Sequence, residues 1–277
     1  ENKEFDVNEM IMHHIKDAHE FHIMDIDGHA VSFPLPIILW TDNGLVTFLS
    51  SEFNHNDSGE VIVERKGQEF IKYHEKIFYA NNTGGDKYVA YDAAGNVTNK
   101  KPLDLSITKM VFSMFLSMLL LILIFVATAR TYSKSKKGEP TGLGKFTEPL
   151  VMFIKDEVAL PMIGEKNYQK YMPFLLTLFF FIWINNVMGL IPFFPFSANL
   201  SGNIAFTFVL AAITFIITTV VGNKDYWKHI FWMPGIPVPM KLFLAPIEFL
   251  GIFIKPISLM IRLFANISAG HIIILSL

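Results

Sequence analysis

An arginine stands in the middle of an apolar stretch near the end of the chain. Residues 258 to 275 read SLMIRLFANISAGHIIIL, and Arg262 is the one residue among them with a permanent charge. A guanidinium group does not lose its proton in proteins, so Arg262 cannot pass protons along. It can act on a carboxylate, because at about 4 Å and an effective dielectric constant of about 20 the attraction is about 4 kcal/mol. A neighbouring acid that was neutral in lipid would release its proton there.

Two residues of the same region can take up and release protons. Glu248 and His271 lie on either side of Arg262 in the sequence, and carboxyl and imidazole groups both titrate. His271 stands nine residues after Arg262, which is roughly 180° away on a helix, so it faces another side. The region therefore contains the parts of a proton path that is interrupted by a fixed positive charge.

The charged residues of this region recur every seven positions. Seven helical residues return to within about 20° of the same face, so the pattern predicts a slowly rotating charged stripe on one helix. The charged stripe consists of Lys241, Glu248, Lys255 and Arg262.

The surface around Arg262 suits close contact with another helix. Ser258 and Asn266 lie within about 40° of Arg262 on a helix. Ala265 and Ala269 keep the neighbouring surface small, which lets a second helix approach closely. We expect these residues to form an interface with another subunit.

Each of these residues also has a purely structural interpretation. Arg262 could extend its side chain to the lipid headgroups. Glu248 could form an ion pair with Lys255 or Lys241, and His271 could have a hydrogen-bonded packing role. If Arg262 does act on an acid, a second subunit has to supply it, because Glu248 is the one plausible intramembrane carboxylate after residue 104.

Composition indicates a membrane protein whose two parts differ in charge. Of the 277 residues, 52% are hydrophobic and 27 are phenylalanine, which is unusual for a soluble domain. Acidic residues dominate 1–104 and basic residues dominate 105–277. There is no cysteine, so disulfide and thiol chemistry are excluded. The chain begins at Glu1 without an initiator methionine, and we expect it to be processed or shortened.

Four apolar segments are long enough to cross a bilayer, which takes about 20 helical residues. They cover residues 107–129, 173–191 and 203–222, followed by a long tilted segment at 242–277. The last segment has 36 residues, about 54 Å as a helix, so it either crosses twice or lies steeply tilted. We favour a tilted pair of helices, bent at a proline or glycine and preceded by a non-helical connection at 231–241.

The loop after the first span sets the expected orientation. Arg130, Lys134, Lys136 and Lys137 follow this span closely, so the positive-inside rule places 130–171 in the cytoplasm and 1–104 outside. The predicted fold class is therefore a mainly α-helical polytopic membrane protein with long tilted helices. It carries a small α+β N-terminal extramembrane domain at 1–104, followed by a membrane domain at 105–277.

Within the N-terminal domain, residues 7–25 have an apolar face and predict a helix. Extended runs follow it at 30–40, 44–50, 60–66, 76–80 and 87–99. The predicted helix contains His13, His14, His19 and His22, of which His19 and His22 share a helical face. These two are weak candidates for zinc ligands, and a solvated or packed surface and a channel-entrance role remain open.

The segment PISLMIRLFANISAGHIIIL, residues 256–275, closely resembles the signature of subunit a of the F-type ATP synthase. The resemblance extends upstream through PIEFLGIFIKP, FFFIWINNVMGLIPF and SANLSGNIAFTFVLA, and it covers about residues 105–277. The domain at 1–104 is longer than in common bacterial members. The resemblance implies the bacterial type with an enlarged N-terminal extracytoplasmic domain.

What the resemblance implies is a proton-translocating stator subunit of the membrane sector. Arg262 would be the essential cation that separates two half-channels and forces carboxylates of a rotating c-subunit ring to lose protons. Glu248 and His271 would lie on the proton path, and Ser258 and Asn266 at the ring interface. Gly189 and Asn199 stand where some members have aspartate, so we assign neither a titrating role.

The implied partners are the c-subunit ring, the b subunits of the peripheral stalk, the rest of the complex and the lipid bilayer, with no nucleic acid. The implied location is the bacterial inner membrane. We expect no catalytic site, cofactor or metal in the chain itself, and no P-loop pattern is present. The chain stops before the final helix that normally follows the signature, so it should not complete a proton path alone.

Two rival functions make different predictions. A secondary transporter with a midplane arginine for an anion would have an inverted repeat, and none is visible. A membrane-anchored binding module that uses the histidines would not need Arg262.

Overall fold

The computed structural model describes residues 17–26, 29–81, 88–134, 141–191, 200–233, 235 and 237–276. The chain divides into two compact units, Glu1–Ala198 and Asn199–Leu277. Most of the described chain is helical, and small antiparallel sheets occupy the N-terminal region. Within the described residues, four helices are long and apolar enough to cross a membrane, by length and composition: Lys109–Ser133, Tyr168–Gly189, Ile204–Val221 and Val238–Gly270. The predicted fold class is confirmed.

In the described part of the N-terminal region, eight strands form three antiparallel sheets. The first is the hairpin of β1 and β2, the second has the order β4-β3-β8, and the third has the order β5-β6-β7. Their bounds are β1 Glu20–Ile26, β2 His29–Pro34, β3 Pro36–Thr41, β4 Gly44–Leu49, β5 Val63–Arg65, β6 Gln68–Tyr73, β7 Lys76–Tyr79 and β8 Leu103–Asp104.

Alternating side chains of these strands build the core of the N-terminal region. In β3, Ile37 and Leu39 point inward, and in the neighbouring β4 Val46 and Phe48 do the same. Phe70 from β6 packs against Phe48, with ring centroids 6.2 Å apart. Because successive strand residues point to opposite faces, each inward row leaves a second row on the outer face of its sheet.

Two secondary-structure predictions for this region were wrong, and one strand was not predicted. Residues 20–25 of the predicted 7–25 helix lie in β1, because EFHIMDI pairs in register with β2, whereas residues 7–16 lie outside the described part. The predicted strand at 87–99 is reduced to one isolated bridge, because the Asp92 side chain accepts backbone N–H groups of Ala94 and Asn96 and forms a turn. Strand β6 was missed.

A buried ionic cluster joins these sheets. The side chain of Lys72 is only 1% exposed, and its Nζ lies 3.3 Å from Glu20 Oε1 and 3.8 Å from Glu75 Oε1. Glu75 also accepts the backbone N–H of His19 at 3.3 Å, and the His19 ring Nε2 lies 3.0 Å from Asp104 Oδ2. Charges removed from water need such partners, so the cluster fixes β1, β6 and β8 relative to one another.

The two glutamates that flank Lys72 have opposite pKa shifts. Burial raises the pKa of Glu20, but Lys72 and His55 together outweigh burial and hold it below its ordinary value of 4.5. Burial raises the pKa of Glu75 above 4.5 despite the attraction of Lys72. The ionised form of Glu20 therefore stabilises the fold above about pH 4.5, and this contribution is lost as the pH falls through its lowered pKa.

The membrane helices of the first unit pack through aromatic and threonine contacts. Helix α1 spans Lys109–Lys134 and helix α4 spans Tyr168–Gly189, and Phe125 meets Phe180 edge-on with centroids 4.9 Å apart. Between them lie α2 (Gly144–Phe153), a π-helical turn (Ile154–Ala159) and α3 (Leu160–Ile163). The buried hydroxyls of Thr128 and Thr147 are 3.3 Å apart and join α1 to α2.

The second unit consists of α5 (Ile204–Val221), α6 (Lys224–Phe231) and α7 (Val238–Ser276). Asn203 caps α5 by accepting the backbone N–H of Ala205 at 2.9 Å. The tilted pair predicted for residues 242–277 is a single helix of 39 residues that continues through Pro246 and Pro256. Each proline removes only one backbone N–H donor from the helix. The other backbone groups have no alternative hydrogen-bond partner in hydrocarbon, so the helix continues past both prolines.

The connection before α7 is shorter than predicted. Residues 238–241 of the expected non-helical segment already belong to α7, where Pro239 stands in the first turn and needs no intrahelical N–H partner. At about 58 Å, α7 exceeds a hydrocarbon core of about 30 Å, so a single crossing requires a tilt.

The ionic cluster generates a stability prediction. Glu20→Gln should lower the free energy of unfolding of the N-terminal sheets by about 3 kcal/mol at pH 7, because Lys72 loses its nearest carboxylate. It should also flatten the decline of stability below pH 4.5. Hydrogen exchange of the β6 amides in the full chain measures both effects. Glu64→Gln, at an exposed position of β5, is the matched control, and equal protection in the two variants would contradict the prediction.

Candidate functional site

Helix α7 carries the whole charged stripe. The first three residues of the stripe, Lys241, Glu248 and Lys255, contact other side chains. The Lys241 ammonium lies 4.7 Å from the centroid of the Trp232 ring. Lys255 Nζ lies 3.5 Å from Glu248 Oε1, with side chains 74% and 33% exposed. This pair is too open to water to hold either residue firmly.

Glu248 and Lys255 line a cavity of about 570 Å³ in the second unit, between α5, α6 and α7. Most of the wall is apolar, with a few polar groups converging on the space. The polar or titratable side chains of the wall are Thr214, Thr218, Thr219, Tyr226, His229, Glu248 and Lys255. A cavity of this size that holds hydroxyl, imidazole and carboxyl groups can accept several water molecules.

Threonines give α5 its polar side toward this cavity. The hydroxyl of Thr214 donates to the carbonyl of Leu210 at 3.0 Å, and that of Thr218 donates to the carbonyl of Thr214 at 2.7 Å. Thr219 donates to Phe215 in the same way, at 2.7 Å. These bonds satisfy the hydroxyl protons inside the helix, and the oxygen lone pairs remain available as acceptors.

Arg262 lies outside this cavity, on an open part of α7. Its guanidinium forms no hydrogen bond or ion pair with any residue that the structure describes. Arg262 and Ser258 line a shallow groove of about 390 Å³ whose other walls are isoleucines of the same helix. The cation is thus presented to whatever packs against this face of α7.

The predicted interface residues share this exposed surface. Ser258, Ala265, Asn266 and Ala269 are all exposed, as is Arg262. The structure therefore brings the proposed interface set together on α7. None of these five residues lines the cavity, and Arg262 lies 14 helical residues, or about 21 Å along α7, beyond Glu248.

The structure describes His271 and the histidines of the N-terminal domain only in part. His271 lies on α7, but its side chain is outside the described part, so its role on a proton path stays a prediction. His13 and His14 are also outside it, as is the side chain of His22. His19 directly precedes strand β1, and His22 lies in it. The prediction that these two residues share a helical face was therefore wrong.

Among the described residues, no group of three histidine, cysteine or acidic side chains is arranged for a metal ion. His19 is 3% exposed and its Nε2 is used by Asp104. In this part of the chain its observed contacts are those of a packed, hydrogen-bonded histidine.

Sequence reasoning missed four polar residues. His229 and Tyr226 line the same cavity as Glu248 because residues 224–231 form helix α6, which the sequence analysis did not predict. Asn185 on α4 is 1% exposed and donates to the carbonyl of Phe181 at 2.7 Å. Within the described residues, its side-chain oxygen and that of Asn186 have no hydrogen-bond partner. The adjacent asparagines in an otherwise apolar run were the available signal, because buried amides in a span are costly.

Four membrane-capable helices and a charged stripe on the longest of them define the class of the protein. It is a polytopic helical membrane protein that presents a fixed cation within an apolar helix.

Comparison with known proteins then identifies the family. The family described as ATP synthase A chain matches residues 111–277, and a Domain of unknown function (DUF8433) matches residues 10–105. The chain belongs to the ATP synthase A chain family, and the resemblance to subunit a of the F-type enzyme is confirmed.

Two relatives illustrate the similarity. The ATP synthase subunit a of Chlorobium phaeobacteroides (strain BS1) is 45% identical over 180 residues, which is 63% of this chain and 52% of the relative. The ATP synthase subunit a of Anaeromyxobacter dehalogenans (strain 2CP-C) is 34% identical over 235 residues, which is 82% of this chain and 59% of the relative. The chain spans about half the length of the curated relatives it matches.

The cavity generates a prediction about water access. Thr214→Cys should react with a water-soluble thiol reagent roughly tenfold faster than Ile213→Cys, because the reactive thiolate forms where water reaches it. The two positions are adjacent on α5, but only Thr214 lines the cavity. Residues 1–277 contain no cysteine, so each variant of this sequence carries a single thiol. Equal rates in reconstituted vesicles would contradict a hydrated cavity.

Proposed function

We propose that the chain is the proton-translocating stator subunit of the membrane sector of an F-type ATP synthase. The observation that carries the proposal is Arg262, a permanent cation that is exposed on an apolar helix and has no partner among the described residues. Membership of the ATP synthase A chain family supports the same function.

The proposed action of Arg262 is electrostatic. A carboxylic acid that arrives neutral from lipid is stabilised in its ionised form beside the guanidinium, so it releases its proton. Arg262 itself keeps its proton and blocks direct passage. The small residues Ala265 and Ala269 allow a partner helix to bring its carboxyl group close. The proposed partner is the ring of c subunits.

The cavity supports a role for Glu248 in one half-channel. Glu248 can exchange protons with water in the cavity, and His229 offers a second titratable group in the same wall. We assign His271 to the other half-channel, because nine helical residues place it on another side of α7 from Arg262. The membrane potential drives transfer, with about 2.3 kcal/mol per charge for each 100 mV.

The proposed topology follows from charge. The basic segment after α1 lies in the cytoplasm, and residues 1–104 form an extracytoplasmic domain followed by the membrane domain at 105–277. The proposed location is the bacterial inner membrane. The b subunits and the remaining complex would hold this stator in place, and ATP would be made elsewhere in the complex.

The open groove at Arg262 favours a stator over a secondary transporter. A transporter binds its anion in a site that its own helices enclose at the membrane midplane. Among the described residues, those that line the groove at Arg262 all belong to α7. That geometry suits a charge on a passing partner.

The first test uses Arg262 in vesicles that contain the complete enzyme. Arg262→Ala should abolish proton-driven ATP synthesis, because ring carboxylates would no longer be forced to ionise. Arg262→Lys should also be impaired, because an ammonium can lose its proton in a site of low dielectric constant. Arg130→Lys, at an exposed position near the end of α1, is the matched control and should retain synthesis. Wild-type synthesis in Arg262→Ala would overturn the proposal.

A second test addresses Glu248. Glu248→Gln should lower passive proton conductance through the membrane sector by about tenfold, because the amide cannot accept and release the proton. Glu248→Asp should retain most of the conductance. Glu165→Gln, in an exposed turn between α3 and α4, is the control. A Gln variant that conducts as well as the Asp variant would limit Glu248 to its ion pair with Lys255.

A further inference from the structure

The sheet of order β4-β3-β8 is apolar on both faces. Its inner face belongs to the core through Ile37, Leu39, Val46 and Phe48. Its outer face has nine positions on the three strands and their continuation, eight of them apolar and none charged. We call it the outer sheet face. Its rows are Leu45–Trp40–Leu103, Thr47–Ile38–Leu105 and Leu49–Pro36–Ile107.

The register of the strands fixes these rows. Trp40 pairs with Leu45 on one side and Leu103 on the other. Beyond β8 the pairing continues, because the backbone N–H groups of Leu105 and Ile107 donate to the carbonyls of Ile38 and Pro36 at 2.9 and 3.1 Å. Residues two apart on a strand share a face, so the three rows form one continuous surface.

The described residues leave this surface open. Its five largest exposed side chains are between 46% and 61% exposed, and they are Trp40, Leu45, Leu49, Leu103 and Leu105. A sheet with apolar residues on both faces is typical of a sheet that is covered on both sides. Contiguous apolar patches of this kind mark contact sites with proteins or membranes.

The outer sheet face lies close to the bilayer because its last row is only two residues before α1 in the sequence. Ile107, in the last row, precedes Lys109 at the start of α1 by two residues, which span at most about 7 Å. The interfacial layer on each side of the hydrocarbon core is itself about 5 to 7 Å thick. The last row therefore lies at the depth of the lipid headgroups when α1 crosses the membrane.

The size of the face argues against a second copy as its occupant. Strands about 4.8 Å apart and rows about 7 Å apart give a surface of roughly 15 by 20 Å with side chains included. A stable dimer buries about 800 Å² on each partner, more than twice this area. A domain that α1 already holds at the bilayer needs much less surface, because the tether raises its effective concentration.

We propose that the outer sheet face docks on the lipid interface of the leaflet next to the start of α1. Trp40 supplies an indole, the side chain most enriched at membrane interfaces, and the surrounding leucines enter the headgroup region. The face carries no charge, so docking does not require anionic lipid and persists at high salt. The N-terminal region is thereby laid against the membrane rather than held away from it.

The test places a single fluorescent probe in the face. Residues 1–277 contain no cysteine, so Thr47→Cys in this sequence can be labelled alone with an environment-sensitive fluorophore, and the labelled protein can be reconstituted in phosphatidylcholine vesicles. Emission should be blue-shifted and quenched at least about threefold more strongly by headgroup-proximal spin-labelled lipid than at Ala94→Cys. Ala94 lies in the exposed Asp92–Asn96 turn, off the face.

A second variant separates docking from local packing. Trp40→Glu in the labelled Thr47→Cys chain should restore water-like emission, with an unchanged circular dichroism spectrum, because Trp40 is exposed and its loss leaves the core intact. Water-like emission at position 47 without this change would overturn the proposal. Blue-shifted emission without quenching by lipid would also overturn it, because a protein would then cover the face.

Discussion

Hydrocarbon offers no hydrogen-bond partner to a backbone amide, and the membrane part of this protein is organised around that constraint. It favours helices that bond all of their own groups, and it explains why α7 remains one helix of 39 residues through two prolines. An unbroken helix in turn keeps residues seven apart on nearly one side, from Lys241 to Arg262. Because the helix is regular, charged residues spaced seven apart in the sequence form an ordered series along one side of α7.

Lys72 and Arg262 are both cations next to apolar surroundings, but only Lys72 has carboxylate partners among the described residues. Lys72 is buried between Glu20 and Glu75, and the cluster around it has a structural role in joining strands. Arg262 is exposed on an apolar surface without a carboxylate of its own among the described residues. The first arrangement is complete within the N-terminal sheets. In the proposed stator function, a partner subunit supplies the carboxylate that Arg262 lacks among the described residues.

The sequence predicted structure correctly where the pattern of apolar residues lies within a single helix. The membrane fold class follows from the apolar length of single helices, whereas the interface role of Ser258, Arg262 and Asn266 stays a prediction. Sequence reasoning failed at residues 20–25, where a helical and an alternating apolar pattern overlap and only pairing with β2 decides between them. His229 could not be assigned to the cavity, because its neighbours come from α5 and α7. The outer sheet face was also hidden, because β8 joins β3 from about 60 residues away.

The threonines of α5 determine which hydrogen bonds their side of the cavity can form. Thr214, Thr218 and Thr219 each commit their only hydroxyl proton to a carbonyl of their own helix. A water molecule that binds to one of these hydroxyl oxygens therefore has to donate the hydrogen bond, and its second hydrogen and its lone pairs stay available to another partner. The side of α5 toward the cavity thus offers hydrogen-bond acceptors and no free hydroxyl proton, whereas Glu248 and His229 in the same cavity wall carry groups that can exchange protons.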